Sequence, residues 1–465
     1  MSVQTLLGRL LGGFSDARSK HFPQGSIRHS MASGAVWSVV GAVLSRGCVL
    51  VSSIVIARLL GKLVFGQWGL VTVTVGMFAN VAAFGTMMVM TRYVAALRKT
   101  DPARASRTMS LALLIGLGSD VVVSSAALAL AGTIATDQYG APELLAPLMV
   151  SAAVVLFMVA TQILQATLIG FEDFRCTARI EWVQGAAMFV CATGLAWSFG
   201  LTGTIVGIAL SWALAFGLGL RAVIRACRRH GMHLTTKGIW REGAFLWKSA
   251  VPAVLAGGVS GMALTFSQGI VARGAGGIAS LGGYNAAIRW RDIIMFLPTA
   301  VNRITLPILS RLEGVGDRRR FLKALLANAG LNGATALAGA IPVAFLSKWI
   351  LGFYGPDFPE DWDMLAILVG MGVVQAISEV VSQVLISKER VWWMLTIVAI
   401  WGIMLWGGTW LMAPRLGVRG YVWSLAIAHV FHLLFYALAA VVLIRRSAAA
   451  PASPLAAATG ATDGR

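Results

Sequence analysis

The sequence contains few charged residues and especially few acidic ones. Charged side chains make up 12% of its 465 residues, with 38 Lys and Arg against only 19 Asp and Glu. Hydrophobic residues reach 57%, and the mean hydropathy is +0.78. A water-soluble protein of this length cannot bury that much apolar surface, so the composition excludes a soluble globular protein and predicts a polytopic membrane protein.

Cysteine is also scarce, and sequence motifs for metal or nucleotide binding do not occur. The cysteines are Cys48, Cys176, Cys191 and Cys227. They show neither a CxxC pattern nor Cys/His ligand spacing, so we expect neither disulfides nor a zinc site. The chain has no GxxxxGK(S/T) sequence, which excludes a P-loop ATPase. We therefore expect no metal and no cofactor, apart from coupling to H⁺ or Na⁺.

The net charge of +19 does not indicate nucleic-acid binding, because the basic residues lie in short clusters between apolar runs. These clusters fall at 92–107, 221–248, 311–323 and 445–446. The intervening segments are acidic instead, with Asp137 and Glu143 in one and four carboxylates at 357–363 in another. By the positive-inside rule, this asymmetry predicts that both termini lie in the cytoplasm.

Runs of about twenty apolar residues, each long enough to cross a hydrocarbon core of about 30 Å, predict twelve membrane-spanning helices. They lie near 35–57, 69–91, 109–132, 145–168, 180–199, 203–224, 248–271, 284–309, 324–346, 364–387, 392–412 and 419–444. The predicted fold is therefore an all-α polytopic membrane protein of two six-helix bundles, with its N and C termini inside.

The predicted bundles cover 35–224 and 248–446, joined by a cytoplasmic linker at 225–247. A faint internal repeat supports this division, since 57–68 resembles 272–284 and both follow the first span of a half. The N-terminal segment 1–34 has apolar residues at helical spacing and is either an interfacial amphipathic helix or frayed. The Ala/Pro/Gly-rich end, 447–465, is predicted to be a disordered cytoplasmic tail.

One predicted span, 284–309, carries polar groups that a lipid-facing helix would not tolerate. Asn285, Arg289, Asp292, Thr299 and Arg303 share one helical face. Each charge near the bilayer centre costs roughly 2.5–3.5 kcal/mol by insertion scales. The face therefore predicts a polar cavity, with Asn285, Arg289 and Arg303 as substrate-binding candidates. Because Arg289 and Asp292 are three residues apart, they could instead neutralise each other.

Other spans contribute further candidates for the cavity. Arg46 lies at the midpoint of the first span, either as a cationic cavity group or in a structural ion pair. Gln162 in the fourth span is a weaker substrate-binding candidate. Asp120, Glu379 and Asp292 are candidates for coupling-ion binding, with a structural salt bridge as the alternative role.

Four segments of the chain resemble the Wzx-like polysaccharide flippases of the MOP superfamily, which also holds the MATE exporters and the lipid II flippase. The matching segments are 33–70, with Ala57–Gly61 and Phe65–Gly66, then 84–97, 165–180 and 284–312. The resemblance covers nearly all of the chain, although Lys62–Leu63 replaces the usual Pro plus acidic pair.

The resemblance implies two bundles around a central cavity that opens alternately to each side of the bacterial inner membrane. The implied cargo is an undecaprenyl-pyrophosphate-linked oligosaccharide, an O-antigen or exopolysaccharide repeat unit, delivered to polymerase or export machinery. Arg46, Arg289 and Arg303 would suit its anionic pyrophosphate.

Three alternatives remain open at this point. A MATE-like exporter of cationic drugs would favour a cavity dominated by carboxylates, whereas the predicted spans hold more arginine than acid. The lipid II flippase group usually carries two additional spans. An O-antigen ligase or polymerase would need a sizeable outer loop with catalytic Arg or His, and the outer loops here are short and acidic, so we do not expect an enzyme.

Overall fold

The computed structural model of the protein describes residues 27–83, 86–91, 97, 101–233, 235, 238–274, 276–315, 318–387 and 390–449. Most of the N-terminal segment predicted to be amphipathic, and the predicted tail from residue 450 onward, lie outside these residues. Within the described ranges the fold consists of helices and connecting turns, without β-strands.

We number the α-helices of the described residues in chain order. They are α1 (Ile27–Ala82), α2 (Thr86–Val89), α3 (Pro102–Thr133), α4 (Leu145–Gly170), α5 (Phe174–Arg229), α6 (Gly243–Arg273), α7 (Gly277–Ile294), α8 (Phe296–Val315), α9 (Arg318–Phe345), α10 (Ser347–Gly352), α11 (Trp362–Ser387), α12 (Val391–Leu416) and α13 (Val418–Ala449). Short π or 3₁₀ turns lie at Ile134–Gln138, Pro142–Leu144, Ile239–Glu242 and Pro359–Asp361.

Two of these helices, α1 and α5, each contain a sharp bend at a glycine. Each is 56 residues long, and the backbone leaves the helical conformation at Gly61 (φ 79°) in α1 and at Gly200 (φ 57°) in α5. Glycine adopts positive φ readily because it has no Cβ to clash with the backbone. Each bend joins two of the predicted spans with almost no loop between them.

By length and apolar composition, nine helical segments within the described residues could cross a membrane. Two of the nine contain the bends at Gly61 and Gly200, and the charged segment 284–309 is not among them. The protein is thus a multi-pass helical membrane protein, while the count of twelve spans stays a prediction.

The segment 284–309 is not the single helix that its length suggests. Helix α7 ends at Ile294, Met295 forms a turn, and α8 begins at Phe296. Pro298 has no N–H to donate to the carbonyl of Ile294 four residues earlier, and its ring crowds that carbonyl. The polar face is therefore divided between two helices.

The helices form two groups that meet along α1. In the first group, α1 packs on α5 and also contacts α3 and α4, while α4 packs on both α3 and α5. In the second group, α11 contacts α9 and α13, α12 contacts α13 and α6, and α8 packs on α9. The main contacts between the two bundles are those of α1 with α6 and α7.

The contact between α1 and α7 is close because glycines lie at the crossing. A Cβ added at Gly66 would overlap the carbonyl oxygen of Ile278, and one added at Gly282 would overlap that of Lys62. Gly66 and Gly282 belong to the two copies of the internal repeat, so corresponding segments of the two halves pack against each other. We call this end of the molecule the outer end, because it holds the acidic segments around Asp137 and Asp361, which the positive-inside rule assigns to the outer side.

We predict that Gly66→Val separates the two bundles at the outer end, because a branched side chain cannot fit against the Ile278 backbone. Overpacking of this kind costs about 1–3 kcal/mol. The measurement is the distance between spin labels at Leu63 and Leu416, two exposed outer positions on different bundles.

The matched control is Gly76→Val on the same helix, where an added Cβ meets nothing within 4 Å. It changes helix propensity equally but should leave the distance unaltered. Equal distances in the Gly66 and Gly76 variants would show that the close crossing does not hold the bundles together.

Candidate functional site

A cavity of about 380 Å³ lies between the two bundles. Helix α1 supplies one wall, α7 with the start of α8 supplies a second, and α11 supplies a third. The lining consists of Arg46, Val49, Leu50, Arg289, Arg291, Asp292, Ile293, Met295, Thr299, Gln375 and Glu379. Five of the residues singled out from the sequence therefore come together here: Arg46, Arg289, Asp292, Thr299 and Glu379.

Arg46 brings a positive charge from the first bundle to the second. Its Nη1 donates a hydrogen bond of 3.1 Å to the backbone carbonyl of Asp292. The guanidinium carbon also lies 4.8 Å from the ring centre of Phe296, within range of a cation–π interaction. Both contacts orient the side chain across the bundle interface.

Asp292 pairs with Arg291 and not with Arg289. The Arg291 Nη2 lies 2.7 Å from the Asp292 Oδ1, and Arg291 also donates through Nη1 to the Gln375 Oε1 at 3.1 Å. Arg289 instead lies over the ring of Trp68 in the first bundle, with its guanidinium carbon 5.2 Å from the ring centre. Asp292 therefore neutralises its neighbour Arg291, and the alternative that it neutralises Arg289 does not hold.

A line of polar contacts extends from this ion pair to Glu379. Gln375 accepts from Arg291 and donates through Nε2 to the Glu379 Oε1 at 3.2 Å. Hydrogen-bonded side chains linked in this way respond to each other's charge. The cavity holds three guanidinium groups and two carboxylates, so it carries one excess positive charge when both carboxylates are ionised.

Buried aromatic rings close the cavity towards the outer end. Phe65 lies 5.2 Å from Trp68, 5.8 Å from Tyr354 and 6.0 Å from Phe358, measured between ring centres. All four rings are at most 2% exposed. Trp68 contacts Arg289 in the cavity, whereas Phe358 lies beneath Lys62 at the outer end. This aromatic cluster thus separates the cavity from the outer surface.

Polar contacts between the bundles surround the aromatic cluster at the outer end. Lys62 in α1 forms an ion pair of 2.7 Å with Asp361 and donates to the carbonyl of Asp357 at 2.8 Å. On another flank, Arg273 of α6 donates to the carbonyls of Thr136 and Asp137. Polar contacts therefore join the two bundles on two flanks of the outer end.

Two substrate-binding candidates lie away from the cavity. Asn285 is 7% exposed, and its Nδ2 donates to the carbonyls of Phe65 and Gly66, each at 3.5 Å. It fills the space next to Gly69 and belongs to the bundle contact. Gln162 is half-buried on α4 and does not line the described cavity.

Asp120 and Arg303 are the two remaining candidates, and Asp120 is separated from the cavity. Asp120 on α3 is fully buried and accepts from Ser124 Oγ at 3.4 Å, while its Oδ2 has no hydrogen-bond partner within the described residues. Arg303 falls on α8, but its side chain lies outside the described residues.

Sequence reasoning missed the roles of Arg291 and Trp68. Helical spacing puts Arg291 off the polar face of 284–309, yet its long side chain reaches both Asp292 and α11. The row of Gln375, Glu379 and Gln383 at four-residue steps is visible in the sequence. Its connection to Arg291 requires knowing that α7 and α11 are neighbours.

The chain matches the sequence profile described as "Polysaccharide biosynthesis protein" over residues 31–313. It belongs to this family. A relative in Ralstonia nicotianae, the "EPS I polysaccharide export inner membrane protein EpsE", is 25% identical over 407 residues, which cover 84% of this chain and 89% of the relative. The relative of the same name in Ralstonia solanacearum is 24% identical over 84% of this chain and 88% of its own length.

Solved structures show that this member of the polysaccharide biosynthesis family has the fold of the MOP-superfamily transporters. An inward-facing multidrug resistance MATE transporter superposes with a TM-score of 0.72 at 14% identity, covering 90% of this chain and all of the other. The lipid II flippase MurJ in an inward closed conformation gives 0.67 at 13% identity, covering 87% of each chain.

We predict that Lys62→Ala loosens the outer end, because it removes an ion pair that joins the bundles. A hydrogen bond to a charged group contributes about 1.5–3 kcal/mol. The population with an open outer end should thus rise roughly 10- to 100-fold. The measurement is the labelling rate of Ser53→Cys, in a cysteine-free background, by a membrane-impermeant maleimide. Ser53 is buried and its Oγ lies 3.3 Å from the Tyr354 hydroxyl.

The control for this experiment is Arg419→Ala, which removes the 2.6 Å ion pair to Asp363 within the second bundle. It should leave the labelling rate unaltered, and the charge-reversed double variant Lys62→Glu/Asp361→Lys should restore protection. Wild-type labelling in Lys62→Ala would contradict the role of this ion pair.

Proposed function

We propose that the protein is a flippase that moves a lipid-linked oligosaccharide across the bacterial inner membrane by alternating access. The carrying observation is a cavity between two bundles with an excess of guanidinium groups, closed by aromatic rings at the outer end. Membership of the polysaccharide biosynthesis family and the export protein relatives support this cargo class. An exopolysaccharide repeat unit is favoured over O-antigen by the relatives' name.

The substrate's pyrophosphate binds to Arg46 and Arg289. Guanidinium groups bind phosphate oxygens through paired hydrogen bonds. Arg289 is held by the Trp68 ring and has no described ion pair, and its Nε is buried without a hydrogen-bond partner among the described residues. An unsatisfied buried donor of this kind favours an incoming anion. Asp292 does not compete for Arg289, because it is paired with Arg291.

The position of the two arginines couples binding to the movement of the bundles. Arg46 belongs to the first bundle and Arg289 to the second, so one pyrophosphate bridges both. A volume of about 380 Å³ is within the range of small-ligand sites. It accommodates the pyrophosphate, while the polyprenyl chain stays in the bilayer.

Protons drive the cycle through Glu379. This carboxylate lines the cavity and is connected through Gln375 to Arg291. Protonation of Glu379 removes one negative charge from the cavity and strengthens its hold on an anion, whereas deprotonation weakens it. The protein acts without covalent chemistry on its cargo and is not an enzyme. A cationic drug as cargo is disfavoured by the same excess of guanidinium groups.

We predict that Arg46→Ala and Arg289→Ala each reduce transfer of a lipid-linked oligosaccharide in proteoliposomes without ATP. Loss of a charge-assisted hydrogen bond of about 1.5–3 kcal/mol corresponds to roughly 10- to 100-fold weaker binding. The Arg→Lys variants should retain part of the activity, because they keep the charge but lose the paired geometry. The readout is the protection of a radiolabelled substrate from a hydrolase outside the vesicle.

Arg221→Ala is the matched control, since Arg221 is exposed on α5 and away from the cavity. It should transfer substrate at the wild-type rate. If both cavity variants transfer as fast as this control, the proposed pyrophosphate site is excluded.

We predict that Glu379→Gln abolishes the response of transfer to a pH gradient, because the amide cannot exchange a proton. The wild type should transfer several times faster with a gradient than without one, and the variant should show one rate under both conditions. Asp120→Asn serves as the comparison, since Asp120 is buried away from the cavity. A retained pH response in Glu379→Gln, or stimulation of the wild type by a Na⁺ gradient alone, would contradict proton coupling through this residue.

A further inference from the structure

A second concave surface lies at the outer end, where the first bundle meets the short helix α10. This groove has a volume of about 620 Å³ and is lined by Arg58, Lys348, Trp349, Gly352, Phe353 and Pro359. Arg58 comes from α1 in the first bundle, and the other five belong to the second. Its described lining therefore holds two cationic side chains from opposite bundles and no acidic one.

The two cations are unusual for their position. The outer segments of the chain are acidic, and two of their carboxylates already have cationic partners, Asp361 with Lys62 and Asp363 with Arg419. In contrast, Arg58 and Lys348 are exposed and form no ion pair within the described residues. Two cations without counter-ions in one groove repel each other unless an anion lies between them.

Arg58 is held in an orientation that leaves donors available. Its Nε donates to the carbonyl of Phe353 at 2.6 Å. Its two terminal nitrogens have no hydrogen-bond partner in the described part of the chain, and neither does the Lys348 ammonium group. Guanidinium and ammonium donors with free N–H groups form charge-assisted hydrogen bonds to phosphate oxygens.

Aromatic side chains place the groove at the level of lipid headgroups. Trp349 and Phe353 pack edge to face with ring centres 4.5 Å apart. Trp349 is 65% exposed, and the neighbouring Phe345 is 88% exposed. Exposed aromatic rings of this kind at the end of a membrane-spanning helix favour the interface between hydrocarbon and water. The groove therefore presents cations to headgroups and apolar surface to acyl chains.

We propose that this groove binds the phosphate of an anionic phospholipid of the outer leaflet, with Arg58 and Lys348 as the two phosphate ligands. Basic pockets between membrane-spanning helices bind anionic headgroups on the same principle. Because the ligands come from opposite bundles, the lipid is held only when the outer ends are together. Lipid binding thus stabilises the closed outer end. This consequence rests on the proposed alternating access, whereas binding of the lipid does not depend on it.

The test is the binding of phosphatidylglycerol to the full-length protein in nanodiscs, with phosphatidylcholine as the zwitterionic reference, followed by native mass spectrometry. We expect the protein to retain phosphatidylglycerol in preference to phosphatidylcholine. Lys348→Ala and Arg58→Ala should each lower its affinity roughly 10-fold, the loss expected for one charge-assisted hydrogen bond. Lys348→Ala is the decisive variant, because Lys348 makes no described contact that the fold needs.

The matched control is Arg415→Ala, which removes an exposed charge at the outer end of α12, outside the groove. It should bind phosphatidylglycerol as the wild type does. If Arg415→Ala and Lys348→Ala lowered the affinity for phosphatidylglycerol equally, the binding would be explained by general charge attraction, and the proposed site would be refuted. Unchanged binding in both groove variants would also overturn it.

A competition experiment identifies the source of the phosphate. Undecaprenyl diphosphate is added at the same concentration as phosphatidylglycerol, and displacement of phosphatidylglycerol from the wild type but not from Lys348→Ala would overturn the assignment to a phospholipid. These readouts do not depend on transport. A protein that binds phosphatidylglycerol in the groove but moves no oligosaccharide would refute the proposed flippase function and leave the lipid site standing.

Discussion

The close crossing of α1 and α7 is the constraint on which the rest of the structure depends. Gly66 and Gly282 allow the two backbones to approach so closely that neither position has room for a Cβ. This approach brings Phe65 against Tyr354 and Phe358 of the second bundle and Trp68 against Arg289, and it forms the closed outer end. The polar cavity lies beside this crossing, between α1 and the second bundle.

The charges in the cavity are arranged so that arginine keeps its capacity to bind an anion. A buried guanidinium is stable only with compensating contacts, and a carboxylate partner would occupy its donors. Arg289, whose Nε is buried, instead contacts the ring of Trp68. Asp292 and Glu379 are engaged through Arg291 and Gln375. At the outer end, Arg58 and Lys348 likewise have no carboxylate partner among the described residues.

Much of the architecture could be predicted from the sequence, and so could part of the site. Apolar runs and the asymmetry of basic residues indicate a multi-pass helical protein, because the bilayer imposes both length and sidedness. Arg46, Arg289, Asp292 and Glu379 were recognisable as polar groups in apolar segments, and the structure brings them into one cavity. The break at Met295 has its cause in Pro298, although the proline alone does not say whether the helix bends or ends.

The sequence by itself determined that this protein spans a membrane and carries charges that lipid cannot solvate, since both follow from composition and spacing. Only the tertiary structure decided which partner each charge has. Helical spacing assigns a residue to a face but does not say which helix lies opposite. It also does not say which nearby group a long side chain will contact. Arg291 therefore pairs with Asp292 and reaches Gln375, while Asn285, on the predicted polar face, fills a helix contact beside Gly69.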